Sequence, residues 1–198
     1  MGLRDILTGR HEVKGPAPDR LFAISTAYIT LESEHGIRPT GSAAIVFQAL
    51  ATSEFEATIK EMEQVVTETG KESGTSVATQ DDSYGYRWMV LRNPPENPSV
   101  EDLAVGINAV SSSIETAGHG ERLLCAVFAF LDAQGRPVYF IYNYKRGYWY
   151  PFVPAAAGAG DSKERSTERE LQIKAQMASE LPIEPELERW FPLWGIPI

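Results

Sequence analysis

Cysteine is almost missing from this chain: Cys125 stands alone among 198 residues. A single cysteine excludes an internal disulfide framework and fits a reducing compartment. Histidine is scarce too, and His11, His35 and His119 are scattered. None pairs with another at i, i+4, so no metal site of short ligand spacing is expected. No apolar run approaches the ~20 residues a membrane helix requires. The N-terminus carries no signal-peptide core with a small-residue cleavage site, so a cytoplasmic protein is expected. Basic charge is in short supply, with 18 Lys and Arg against 27 Asp and Glu and a net charge of -9. Such a chain repels nucleic acid and anionic lipid on average, and nucleic acid is not an expected partner.

What is present is ordinary globular composition, 43% hydrophobic and 23% charged. The length suits one substantial domain. Met1 to Arg10 carries Leu3, Ile6 and Leu7 on one helical face before the Gly/Pro break of Lys14 to Pro18. Too short for a stable helix alone, it reads as an apolar hook that orders against a membrane, a partner or a second copy. Asp19 opens a helical pattern through Leu21, Ile24, Tyr28 and Leu31 that Gly36 stops. Arg38 to Gly41 reads as a turn and Ala43 to Leu50 as a strand. Ser53 and Glu56 form a capping box for a helix through Phe55, Ile59, Met62 and Val66, ended by Gly70. Thr75 to Gln80 and Tyr84 to Arg92 read as a hairpin, with Tyr84, Tyr86, Trp88 and Val90 on one face.

Ser99 and Asp102 cap a third helix with the stripe Val100, Leu103, Ile107, Val110 and Ile114. Leu123 to Leu131, apolar on both faces, belongs in the middle of a sheet, and a turn at 132–135 leads into a strand from Pro137 to Lys145. A last helix is expected from Thr167, capped with Glu170, to about Glu180, with Leu171, Ala175, Ala178 and Leu181 inward. The order α-β-α-ββ-α-ββ-α predicts an α+β fold: an antiparallel sheet of about five strands with amphipathic helices packed on it. The expected organisation is a hook and linker over 1–18 and one domain over 19–198, ending in a strap at 181–198. That strap holds Pro182, Pro185, Pro192 and Pro197, so it is neither a continuous helix nor a central strand. Its Trp190, Phe191, Leu193 and Trp194 need cover, and the aromatic patch from Tyr139 to Phe152 is the preferred acceptor. Eight of the twenty aromatic residues lie in that patch.

Reaction chemistry is poorly signalled. Cys125 sits in an apolar strand, and reactive thiols need an exposed electropositive setting. Gly74 to Ala78 lacks the strand-turn-helix context of a nucleophile elbow. No Gly-Lys-Ser/Thr appears, and Gly118-His119-Gly120 and Gly158-Ala159-Gly160 lack the strand-to-helix setting of a phosphate loop. Ser111 to Ser113 reads as polar helix surface. Glu32, Glu34 and His35 read as a solvated helix end rather than an acid–base group. No cofactor, metal or catalytic residue is expected. Lys145-Arg146-Gly147 is the one basic spot amid aromatics, suited to snorkelling over rings or to an acidic protein partner.

The chain resembles the PspA-associated protein PspAB family of bacteria and archaea. The resemblance is carried by Met1-Gly2-Leu3-Arg4-Asp5-Ile6-Leu7-Thr8-Gly9-Arg10, Asp19-Arg20-Leu21-Phe22-Ala23, Ile29-Thr30-Leu31, Arg38-Pro39-Thr40-Gly41 and Asp82-Ser83-Tyr84-Gly85-Tyr86. It continues through Asn108-Ala109-Val110, Leu123-Leu124-Cys125, Tyr144-Lys145-Arg146-Gly147, Tyr150-Pro151-Phe152 and Arg189-Trp190-Phe191-Pro192 with Trp194-Gly195. Arg4 departs from an aromatic that the family more often carries there, which weakens any carry-over of membrane affinity to the N-terminus. The resemblance implies a role beside the phage-shock membrane stress response, at the inner face of the membrane. The partners it implies are PspA or a membrane metalloprotease, and no catalytic residue is carried over. The element order is also similar to the fold of type III secretion chaperones and YbjN-like proteins, which bind partners, often as dimers. Three readings stand: a non-enzymatic adaptor or regulator, a peripheral membrane binder, and an enzyme with a dispersed site. For the first, the expected partner-binding residues are Leu3, Ile6, Leu7, Lys145, Arg146, Tyr148, Trp149, Trp190 and Trp194.

Overall fold

The computed structural model describes residues 18–155 and 163–198. The hook, with Leu3, Ile6 and Leu7, and residues 156–160 of the small-residue linker lie outside the described residues. A short helix α1 (Pro18–Phe22) runs into α2 (Ile24–His35), which buries Ile24, Ala27 and Leu31 at helical spacing. Gly36 stops α2 in the left-handed region at φ 64°, and Ile37 N–H turns back to Leu31 O at 2.9 Å. Two longer helices follow, α3 (Ser53–Thr69) and α4 (Val100–Thr116). α3 presents Phe55, Ile59, Met62 and Val66 inward, and α4 presents Val100, Leu103, Ile107, Val110 and Ile114.

The strands are β1 (Arg38–Gln48), β2 (Ser76–Asp81), β3 (Tyr86–Arg92), β4 (Leu123–Leu131), β5 (Pro137–Asn143) and β6 (Tyr148–Phe152). They form one six-stranded sheet in the order β2-β3-β1-β4-β5-β6, antiparallel at every pairing. The expected α+β architecture is thus found with six strands rather than five. β1 and β4 lie side by side at its centre, which is why Ala43 to Phe47 and Cys125 to Phe130 are apolar on both faces. Side chains alternate along a strand, so the sheet builds two cores. Ile45, Phe47, Met89, Leu91, Phe128 and Phe140 face the helices. Ala44, Val46, Trp88, Val90, Cys125, Val127, Ile141, Tyr150 and Phe152 face the other way. That second core is closed by Trp190 with Ile183, Leu193, Trp194, Ile196 and Ile198 of the C-terminal strap. A last helix, α5 (Thr167–Gln176), packs against β6 at the sheet edge.

Several local expectations are corrected. Arg38 to Gly41 is the start of β1, not a free turn. Arg38 and Pro39 pair with Leu131 and Phe130, and Thr40 and Gly41 bulge out before pairing resumes at Ser42. Thr40 Oγ1 fills the gap by donating to Ala129 O at 3.0 Å. The cap of α3 is Thr52, whose hydroxyl accepts from Phe55 N–H. Glu56 is thereby released to accept two bonds from Arg87 Nη1, at 2.7 and 2.8 Å. A sixth strand, β6, follows the expected five and holds Pro151, because β6 is the last strand of the sheet and no further strand needs the N–H that proline lacks. α5 ends at Gln176 and turns Ile173 and Met177 inward, leaving Leu171 40% exposed. Glu170 shares that inner face and does not cap. It is 1% exposed, accepts Val153 N–H at 2.9 Å and pairs with Arg165 at 2.7 Å. Ser111 is also buried rather than on the surface, and its hydroxyl donates to Asn108 O at 3.0 Å.

Candidate functional site

Two hairpin turns share one design. Asp82-Ser83-Tyr84-Gly85 joins β2 to β3, and Asp132-Ala133-Gln134-Gly135 joins β4 to β5. In each the aspartate carboxylate accepts backbone N–H groups two and four residues on, the side-chain turn that short acids favour. For Asp82 these come from Tyr84 and Tyr86 at 2.8 and 2.9 Å. For Asp132 they come from Gln134 and Arg136, both at 2.9 Å. Gly85 takes the left-handed position at φ 82°. The turns differ in what they carry. Asp132 closes on Arg136, whereas the second oxygen of Asp82 accepts the Trp88 indole N–H at 3.0 Å. Position 134 is a glutamine; its counterpart Tyr84 is an aromatic ring left 71% exposed.

The strap approaches the same end of the sheet from the other side. A short backbone bridge holds its start, with Trp149 N–H on Pro182 O at 2.9 Å and Glu184 N–H on Trp149 O at 2.8 Å. Arg146, in the turn between β5 and β6, then grips Glu184 with two bonds of 2.9 and 3.0 Å and reaches Glu186 at 3.2 Å. Glu184 is 2% exposed. Burial acts to push its carboxyl up, but the Arg146 guanidinium and the Glu186 N–H outweigh that and hold it below the usual carboxylate range. Further along, Trp190 stacks on Tyr150 with centroids 6.2 Å apart and planes at 22°, and Trp194 meets Phe152 edge-on at 5.0 Å. Tyr150 OH donates to Phe191 O at 3.1 Å.

Between the turn and the strap lies a cleft of about 430 Å³. The sheet contributes Val46, Trp88, Leu124, Cys125 and Tyr150, and the strap contributes Phe191 to Trp194. The β2–β3 turn adds Asp82 and Tyr84, with Tyr86 at the start of β3, and the β5–β6 turn adds Lys145, with Asn143 at the end of β5. Burial pushes the Cys125 thiol up to about 12 and the Tyr150 phenol well above its ordinary value. Neither group is an anion near neutral pH. Tyr84, Tyr86 and Phe191 are the exposed aromatic side chains among the described residues, and all three line this one cleft.

The expected partner-binding residues separate in space. Lys145 lines the cleft and is exposed. Arg146 is spent on the strap, and Tyr148 lies beneath Arg20 and Arg146, 4.9 and 6.0 Å from its centroid. Trp149 is fully buried on the helix side, donating to Arg20 O at 2.7 Å, and Trp190 is 4% exposed. These two rings close the fold. Trp194 lines the cleft and is half-buried. Tyr84 and Tyr86 are expected on one apolar strand face and Phe191 among the strap rings that need cover, but none of the three is among the expected partner-binding residues. Their signal was the apolar face running from Val90 back through Tyr84, past the point where pairing with β2 ends. Among the described residues no cluster of His, Cys, Asp or Glu is gathered to hold a metal, and no helix is long and apolar enough to cross a membrane.

Fold and cleft together define a helix-backed antiparallel-sheet protein with an aromatic groove under a C-terminal strap. The family model for PspA associated protein B, PspAB, matches residues 1–198, and the chain belongs to that family. Its family places it in association with PspA and the phage-shock stress response. No curated protein and no solved structure matches the chain.

Proposed function

We propose that this PspAB chain is a non-enzymatic adaptor or regulator that binds PspA at the cytoplasmic face of a stressed membrane. The observation that carries this reading is the convergence of the exposed aromatic rings on one concave site. Large rings left in water beside a well-packed pocket are the composition of a protein-binding hot spot. The titratable groups of the cleft favour binding over chemistry. Asp82 has both oxygens filled by N–H donors, and Cys125 and Tyr150 are held protonated by burial. A proton-transfer catalyst needs a group that changes state near the working pH.

The test is a binding titration of the purified full-length chain against purified PspA, by calorimetry and by light scattering on a sizing column. A defined complex is expected. Failure to form one at any concentration the proteins tolerate would remove the adaptor reading.

A further inference from the structure

The cleft also indicates what kind of segment it receives. We propose that it docks a partner segment that inserts an apolar side chain among Tyr84, Tyr86 and Phe191 and presents a carboxylate to Lys145. This deepens the adaptor reading and rests on it.

Three observations carry the inference. The rings of Tyr84, Tyr86 and Phe191 are 71%, 39% and 58% exposed, and they come from two separate segments, a hairpin turn and the strap. An apolar side chain entering between them removes all three from water at once. The space, about 430 Å³, accepts one or two side chains of a helix or extended segment and lies in the range of ordinary ligand pockets. The third observation is charge. Lys145 is the one cation lining the cleft, and it makes no ion pair among the described residues. Its neighbour Arg146 is held by Glu184 and Glu186, and Arg87, below Tyr86, is held by Asp81 and Glu56. Asp82 lines the same cleft but makes no ion pair with Lys145, its oxygens being turned to Trp88 and to backbone N–H groups. The cleft therefore offers one uncommitted positive charge beside an apolar hollow, and a carboxylate beside an apolar side chain is its complement.

A bilayer is a poorer occupant. Electrostatic lipid docking uses clusters of about 4–8 basic residues, whereas this site has one lysine near an aspartate in a chain of net charge -9.

Affinity for PspA should be measured for wild type, Tyr84→Ala, Phe191→Ala, Lys145→Met and Lys145→Glu, at low and high salt, with Val65→Thr on the outer face of α3 as control. All these side chains are exposed, so the variants should keep the wild-type urea midpoint. Tyr84→Ala and Phe191→Ala should each weaken binding about tenfold or more, the scale of an aromatic anchor. Lys145→Met should flatten the salt dependence, Lys145→Glu should bind more weakly still, and Val65→Thr should bind as wild type. If PspA binds all variants equally, the adaptor reading stands and the cleft assignment is overturned. If wild type does not bind PspA, both fall. Flotation with anionic vesicles that is lost in Tyr84→Ala and Phe191→Ala, without an effect on PspA binding, would overturn the assignment in favour of lipid.

Discussion

Glu184 and Glu170 do similar work with similar means. Each is a carboxylate almost out of water, at 2% and 1% exposure, and each is matched to an arginine that stays partly wet. Each also accepts a backbone N–H, from Glu186 and from Val153. Such pairs fix geometry more than they add net stability, because desolvation offsets much of the attraction. Glu184 nevertheless makes a pH prediction. Its folded-state value lies below that of a free carboxyl, so its contribution is fully present above the unfolded value of about 4.3 and is lost as pH falls through the folded value. Glu184→Gln keeps an acceptor for Arg146 but cannot titrate. Urea midpoints followed from neutral pH into acid should show wild type losing stability relative to Glu184→Gln below pH of roughly 4.5. Asp81 and Asp132 are held low as well, but they titrate in both proteins and drop out of the difference; Glu186, which shares Arg146 with Glu184 and feels its charge, is replaced by Gln in both proteins. Parallel curves would show that Glu184 is not held low by its partners.

At the scale of elements, α4 lies close on the sheet because Gly106 faces β3. A Cβ built there would overlap Leu91 Cδ2, a fully buried atom group on the helix side. Alanine in a helix interior ordinarily gains about 0.8–1 kcal/mol over glycine. Overpacking a filled core costs about 1–3 kcal/mol, so Gly106→Ala should be destabilising by about 1 kcal/mol, measured by chemical denaturation. Combined with Leu91→Ala it should cost less than the two single changes together, since the shortened side chain makes the room. A stabilised Gly106→Ala would mean that α4 shifts freely. The long elements with strong periodicity were legible: α3, α4, β4 and the hairpins follow from apolar spacing and from the Asp-x-x-Gly turns. What the pattern misread has physical causes. Thr40-Gly41 looks like a turn because a bulge uses turn residues. The inner face of α5 was misassigned because it contains a buried charge, Glu170, which hydrophobic spacing rejects. β6 was missed because Gly147 and Pro151 interrupt an aromatic run that an edge position tolerates. Of the site, Lys145 and Trp194 were legible as an aromatic and basic cluster. Tyr84 and Phe191 were legible as apolar residues, but their meeting in one cleft was not, because the pairing of a turn with a strap more than 100 residues away is set by the sheet order.

For the whole molecule the strap serves stability and, on the proposed reading, recognition as well. It covers the centre of one face of the sheet, including Trp88, Val90, Cys125 and Tyr150, and it also supplies Phe191 to Trp194 of the cleft. Removing residues 189–198 takes away Trp190, whose loss alone is expected to cost about 3–5 kcal/mol. A domain of this size has only about 5–15 kcal/mol in hand. The truncated chain should therefore lose its cooperative unfolding transition or associate through the bared face. Cys125 gives the readout, since it is the single thiol and lies 8% exposed in the core the strap seals. Burial holds that thiol near 12 in the intact protein, so thiol reagents should leave it unmodified on the time scale in which a free cysteine reacts. In the truncated chain its value should relax toward about 8.5 and labelling should become fast. PspA binding should disappear with it, but that loss would not separate a ruined fold from a ruined site. Phe191→Ala separates them, because it removes the exposed ring and keeps the carbonyl that Tyr150 uses. A truncated protein that unfolds cooperatively at the wild-type midpoint with Cys125 still protected would mean that the second face is closed by something other than the strap.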